Sequence, residues 1–434
     1  MTGSHFIKHQ RVLLTGEKMK HSIRISLSVM ILFVLITSFA YSAKTDWFAK
    51  GQDEFNAGNY TKAVDYWKRV ANSNIQAANK LGFMYENGLG IERNYKSAKE
   101  YYSKAAAQGL DEAKMNLGLL LLFRYSEPVK EGRNNFDIGV EYIMEANSWI
   151  KKQVEAGNAR AQAALSVLYK KGITVPQDYE QSYKLAYDSA VQECAEGQCL
   201  LGNRLSNGEG CKKDLIKAKM YWENAAAQGV LDAQDSLGWL YWEGNDDGTI
   251  QKQENLAFYW FEKAAEQGWA ISQYCLGRLY YKGVGVAQDY CKARSWYEKA
   301  ALQGDFDACN SLGYMWNRGE GGVQNDVTAK SWFEKAAAGG NPLGEGNLGL
   351  CYENGWGTSK DYYKAREWYE KSANHGDPCG MYCLGECYYF GRGCAKNLEK
   401  AKEWMEKAAK GDPDSSNLAE DYIAKAKEFL NTKF

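Results

Sequence analysis

The sequence predicts an all-α fold, a solenoid of stacked helical hairpins, and three observations carry that expectation. A Leu-Gly pair recurs at Leu81, Leu117, Leu201, Leu237, Leu276, Leu312, Leu348 and Leu384, with Leu165-Ser166 as a degenerate copy. The intervals are 36 residues except for one of 48 and one of 39, and repetition at this period signals stacked supersecondary units before anything else. Around each pair, small and apolar residues fall at helical spacing, with glycines at matching offsets to stop the helices. With 45% hydrophobic residues and 5 prolines in 434, the chain has material for a large core and shows no sign of disorder.

Taken in order, the first element is an export signal. Leu27 to Phe39 (LSVMILFVLITSF) is apolar, follows Lys20, His21 and Arg24, and precedes small residues at Ala40 and Ser42. The run falls short of a membrane span of about 20 residues, and its flanks are those of a secretory signal peptide over 19–43. Residues 1–18 fit no such signal. Gly16-Glu17-Lys18 is encoded by a purine-rich stretch that resembles a ribosome-binding site, which predicts that translation starts at Met19. Loss of 1–43 removes five of 53 basic and one of 54 acidic residues, leaving a formal charge of −5. That balance offers no electrostatic footprint for nucleic acid or an anionic membrane, and no membrane insertion is expected after cleavage.

Residues 44–74 read as a helical hairpin, with AGNYTKAVDYWKRVA at its centre. Nine units then run over 75–411. In each first helix, positions −4, 0, +1 and +4 from the Leu share one face, as in Ala308, Leu312, Gly313 and Trp316. In each second helix, the expected core carries Ala at +17, an aromatic at +20 and Ala at +24 and +25, as in Ala293, Trp296, Ala300 and Ala301. Trp260 is the equivalent core residue of its unit. Large aromatics against Ala and Gly columns predict close helix crossings. The 48-residue interval is a 12-residue insertion in the second unit, its register fixed by Trp149, 32 after Leu117. The third unit has Ser166 for Gly and lacks the Gly at +28. Residues 412–434 read as a capping helix.

These columns resemble the Sel1-like repeat family, an α/α solenoid related to tetratricopeptide repeats, and 44–74 resembles a tetratricopeptide-like hairpin. The resemblance implies a right-handed superhelix whose first helices line a concave, partner-binding face. Some cysteine-rich relatives have been described as penicillin-binding or β-lactamase-like, which makes such a hydrolase the alternative reading. The same relatives bridge the end of a second helix to the next first helix, and Cys194 and Cys199 best fit that placement.

The residues favour binding over chemistry. After export, His375 is the single histidine, so triads built on His and histidine-rich zinc sites are excluded. Ser148-Trp149-Ile150-Lys151 is the one SxxK, and the SDN and KTG partners of a serine β-lactamase are absent. No catalytic residue, metal or cofactor is assigned. Cys379, Cys383 and Cys387 step by four along one helix and read as compact hydrophobes that stay reduced. Eleven cysteines, an odd number, leave at least one thiol free.

What varies between copies is where a partner's identity is written. Positions −2, +2 and +5 place Trp239, Trp242, Tyr274, Arg278, Tyr281 and Tyr314 toward one surface of the middle units. Aromatics with an Arg are the residue types that concentrate binding energy. The expectation is therefore a periplasmic or secreted bacterial protein that binds another protein or a peptide, in envelope assembly or host interaction.

Overall fold

The computed structural model describes residues 46–125, 135–245, 248–411 and 419–434. The start at Met19 and the export signal lie outside the described residues. Among those described, every regular element is a helix, and they fall into two compact units divided between Arg93 and Asn94.

The first unit holds helices Trp47–Asn56, Tyr60–Val70 and Ile75–Asn87. Asp46 starts the chain of contacts: its carboxylate accepts from the amides of Phe48 and Ala49, both at 3.0 Å, satisfying two of the orphan donors of the first helix. Trp67 is fully buried against Gly51 and donates its indole N–H to the Phe48 carbonyl at 3.3 Å. A large ring seated on a glycine is the pattern that the second unit repeats.

In the second unit, first helices (Asp111–Phe123, Ala159–Lys171, Ala195–Asn207, Leu231–Glu243, Ala270–Lys282, Phe306–Arg318, Pro342–Asn354, Pro378–Phe390) alternate with second helices. Five of its hairpins are closed by a ring on a glycine, at Gly202, Gly238, Gly277, Gly313 and Gly349. A Cβ at Gly238 would lie 2.7 Å from the Phe261 ring, at Gly277 2.7 Å from Tyr297, and at Gly349 2.5 Å from Tyr369. The Leu-Gly pair is thus a close-approach device: Leu fills the core and Gly lets the facing ring touch the backbone.

This corrects one expectation. The buried side chain of the second helix sits at +21, not +20: Phe261, Tyr297, Phe333, Tyr369 and Met405 are buried, whereas Trp260, Trp296, Trp332, Trp368 and Trp404 are half-buried. One residue on a helix is a turn of about 100°, which carries the Trp to the rim. There the Lys three residues on covers its ring, with Nζ to centroid distances of 3.5 Å for Trp296, 3.8 Å for Trp332 and 3.7 Å for Trp368. A capping column outside the expected pattern precedes the second helices. Asp178, Asp214, Asp289, Asn325, Asp361 and Asn397 each accept from the backbone two to three residues on and start a second helix, worth about 1 kcal/mol apiece.

The insertion appears as an extra helix. Asn135–Glu145 packs on Asp111–Phe123, with Gly139 and Ile143 against Gly118, and Asn147–Glu155 then packs on Ala159–Lys171. Trp149 is half-buried and Ile150 fully buried, reproducing the +20/+21 alternation in the register that Trp149 set.

The degenerate third copy keeps the geometry by exchanging volumes. Ser166 and Ser182, both buried, replace Gly and Ala, and each hydroxyl donates to the other's backbone carbonyl, at 2.7 and 2.8 Å. The ring position is Ala186, so the added Ser is balanced by a smaller facing residue. Thr174 and Glu193 stand where other copies have turn glycines, and they are the two non-Gly residues with positive φ among those described, at 61° and 60°. The turn is imposed on residues that resist it.

Towards both ends of this unit, first helices of successive repeats pack on one another (Ala159–Lys171 on Ala195–Asn207, and Phe306–Arg318 on Pro342–Asn354 on Pro378–Phe390), and the row of first helices is called the inner row below. A buried ion cluster ties the early repeats together. Arg124 Nε lies 3.1 Å from Glu196 Oε1, Arg160 Nη2 lies 3.6 Å from the same oxygen, and Arg124 Nη1 donates to the Gln228 carbonyl at 2.9 Å. At the C-terminus, helix Ala419–Lys433 covers the last repeat, with Phe429 edge-on to Tyr389 at 5.0 Å.

Candidate binding cleft

The inner row carries an aromatic ladder that begins on helix Leu231–Glu243. Trp239 and Trp242 are three residues apart, so their rings stack, centroids 5.7 Å apart at 21°. Both rest edge-on upon Phe261, at 5.6 and 5.8 Å. They are therefore half-buried lids on a core ring rather than free-standing contacts.

On the next first helix, the Arg278 guanidinium lies between rings, 5.0 Å from the Trp242 centroid and 5.8 Å from that of Tyr274. Among the described residues it makes no ion pair with a carboxylate. Tyr274 packs on Tyr297 at 5.7 Å, and one helix further on Tyr314 lies under Arg318 at 4.6 Å. Together Tyr274, Arg278, Tyr281, Tyr297 and Tyr314 wall a cleft of about 360 Å³, whose far side is Asn310, Leu343, Asn347, Asp377 and Cys379. An adjoining recess of about 230 Å³, lined by Trp242 and Lys252, shares Arg278 and Lys282 with it. Four of the six residues expected to meet a partner thus line one cleft, Trp242 lines the recess beside it, and Trp239 backs Trp242.

Burial sets the electrostatics. It pushes the Tyr274 phenol up to about 12, with Asp307 and Asp305 adding to the effect and Arg278 opposing it. Tyr281 is raised further, by burial first and by Glu320 beside it. These phenols stay protonated at physiological pH and act as neutral donors. Lys282 is lowered by burial and by Arg278, and Asp377 is raised by burial against the bonds it accepts.

The sequence missed the far wall. Asn347 donates to Asn310 at 2.8 Å, linking two first helices. Asp377 is the cap of the last first helix, and its position seven before a repeat Leu, shared with Asn341 and Asp305, was the available signal.

Cys194 and Cys199 are thiols with separate partners: Cys194 donates to Glu196 at 3.2 Å and Cys199 to Asp232 at 3.1 Å. Burial raises both, Cys194 to about 12, so neither is a ready nucleophile and a bridge requires both thiols to leave these carboxylates. Cys379, Cys383 and Cys387 are buried against Leu384 and Tyr369. Ser148 and Lys151 are exposed on their helix and line neither the cleft nor the recess. Among the described residues, no helix is long and apolar enough to cross a membrane.

The pattern described as the Sel1 repeat matches residues 75–110, 159–187, 195–230, 231–269, 270–305, 306–341, 342–377 and 380–413. The stretch with the extra helix is not among them. A solved structure of a protective antigen from uropathogenic Escherichia coli, displaying an SLR fold, is 28% identical and aligns over 89% of this chain and 80% of that one with a TM-score of 0.57. A Sel1 repeat protein from Oxalobacter formigenes is 31% identical over 57% of this chain and 96% of that one, with a TM-score of 0.53. Chitin synthase regulatory factor 3 of Schizosaccharomyces pombe is 27% identical over 54% of this chain and 25% of that protein. The Sel1-repeat-containing protein YjcO of E. coli K12 is 30% identical over 28% of this chain and 53% of that protein. The chain thus spans between a quarter and about half of these curated relatives.

Proposed function

Because the chain belongs to the Sel1 repeat family, a family of helical repeat scaffolds, we propose that it works by binding another protein through the inner row of its middle repeats. The observation that carries this reading is the cleft itself: four tyrosines and an arginine that has no acidic partner among the described residues, contributed by successive repeats to one recess. Rigid aromatic rings and Arg are what concentrated binding energy is built from, and repeat surfaces present them at fixed spacing. The protein is an exported bacterial scaffold that serves envelope assembly or contact with a host. Support for export is the basic-flanked apolar run Leu27–Phe39, and the relatives named above include bacterial ones.

Photocrosslinking tests the site. A benzophenone side chain at Tyr281 or Tyr314 should capture a protein from envelope or host-cell extract, and the capture should fail when Trp242→Ala and Tyr274→Ala are added. The same probe at Tyr363, 72% exposed on a second helix, should capture nothing specific. Equal capture from all three positions would reject the inner row as the binding surface.

A further inference from the structure

Towards both ends of the second unit, first helices pack directly on one another; in the middle, side chains make the join. Two acids of helix Leu231–Glu243 do so, one in each direction. Asp232 Oδ2 accepts from Cys199 Sγ and Asn203 Nδ2 of the preceding first helix, both at 3.1 Å. Asp235 Oδ1 accepts from Ser272 Oγ of the following first helix at 2.5 Å. The Asp235 carboxyl also accepts from the Trp239 indole N–H, one helical turn on. Trp239 stacks on Trp242, and Arg278 faces the Trp242 ring from the next helix. The first rungs of the aromatic ladder thus hang from one acid that also holds the neighbouring helix.

That acid is poorly placed to carry charge. Asp235 is 7% exposed and Ser272 is fully buried, and among the described residues Asp235 has no ion-pair partner. The titratable groups around it are Asp232 on its own helix, Cys199 beyond Asp232, and the buried Cys275 thiol of the next first helix, which burial and Asp235 push up. The second helices packed on Leu231–Glu243 contribute buried Ala225, Ala226 and Phe261. Ser272 and Trp239 are neutral donors, so ionisation places an uncompensated negative charge in the inner row beside a second acid. Water relieves such a charge, and it enters only where the two helices part. We infer that Asp235 is a proton-operated latch between helices Leu231–Glu243 and Ala270–Lys282, closed while its carboxyl is neutral and loosened when the carboxyl ionises, with Trp239 and Trp242 moving as it does. Burial pushes Asp235 up to about 7, against the bonds from Ser272 and Trp239 and with Asp232 adding to the rise, so the latch turns near neutral pH. The recess of about 230 Å³ is walled by Trp242 from one of these helices and by Arg278 and Lys282 from the other, so its width follows the latch. The inference is independent of what the inner row binds.

Fluorine NMR of the full chain labelled with fluorotryptophan tests it, the Trp239 and Trp242 resonances being assigned by their loss in Trp239→Phe and Trp242→Phe. In the wild type both resonances should move along one titration curve centred near pH 7, and in Asp235→Asn both should stay fixed. Hydrogen exchange reads the helices themselves. From about pH 6 to about pH 8, the ratio of amide exchange in Leu231–Glu243 and Ala270–Lys282 between wild type and Asp235→Asn should grow about 10-fold, because the latched carboxyl loses its proton over that range whereas an exposed one is ionised throughout. Two variants keep Asp235 and serve even if Asp235→Asn does not fold. Asp232→Asn, which removes the neighbouring charge, should move the midpoint to lower pH, and Ser272→Ala, which removes a donor to the ionised form, should move it to higher pH. Wild-type resonances that stay fixed across this range, a titration that persists in Asp235→Asn, or a midpoint that neither Asp232→Asn nor Ser272→Ala moves would each overturn the inference.

Discussion

Phe261 and Trp260 are neighbours in sequence with opposite duties. Phe261→Ala should cost about 3–5 kcal/mol, because it empties the space between Gly238 and two Trp rings. Trp260→Ala, which removes a half-buried ring under Lys263, should cost clearly less; thermal melts of the two variants compare them directly. The sequence could not order this pair, since both residues are large and aromatic and an amphipathic Trp at a rim reads like a Trp in a core. Trp239 and Trp242 lie over the same ring, so their replacement costs stability as well as affinity. At Thr174 and Glu193, φ near +60° is steric strain that Gly relieves. Thr174→Gly and Glu193→Gly should each raise stability by up to about 1 kcal/mol, reversing the usual penalty for introducing Gly. Urea titration measures the gain.

Within the hairpin, the buried acids decide how stability follows pH. Asp235 is pushed up to about 7 by burial, against a bond of 2.5 Å from Ser272, and Asp232 adds to the rise. A carboxyl raised in the folded state binds its proton more tightly than when unfolded. Its contribution is therefore most favourable below about pH 4 and is lost as pH climbs through about 7. Asp235→Asn should flatten that fall and stabilise the protein at pH 8, by an amount on the order of 3 kcal/mol; melting temperatures at pH 5 and 8 report it. The helices, their period and the split second repeat were all legible, because hydrophobic periodicity and glycine punctuation are local signals. The cleft was half legible. Tyr274, Arg278, Tyr281 and Tyr314 follow from column positions, whereas Tyr297 reaches it from a core column, Asn347 from mid-helix beside the repeat Leu and Asp377 from a helix cap, none of them among the columns that vary outward.

For the second unit as a whole, Glu196 is the acid on which distant turns converge. Burial opposes its charge, but Arg160 and Arg124 outweigh burial and hold it down at about 2. A depressed carboxyl stabilises fully above its unfolded value of about 4.5, and that stabilisation disappears as pH falls through about 2. The early repeats should therefore resist mild acid. Glu196→Gln, which removes the carboxylate that the buried Arg124 and the half-buried Arg160 both reach, should destabilise by about 3–5 kcal/mol at pH 7 and remove the acid dependence, as followed by circular dichroism from pH 7 to 2. Solenoids are ordinarily sums of nearest-neighbour contacts. A clamp joining Arg124 to the turn at Gln228 adds a longer link, and hydrogen exchange should find the repeats it spans opening together, while the C-terminal repeats open separately.

The exchange of volumes in the third copy also constrains how this protein can change by mutation. The regular hairpin pairs Gly with a ring; the third pairs Ser166 with Ala186, its hydroxyl committed to Ser182. To convert one form into the other, both positions must change. Ser166→Gly alone leaves a hole beside Ala186, and Ala186→Phe alone drives a ring into the serine. Each single step should lower stability, and the double variant should recover it. A double-mutant cycle should show it as a favourable coupling of about 1–3 kcal/mol between the two positions.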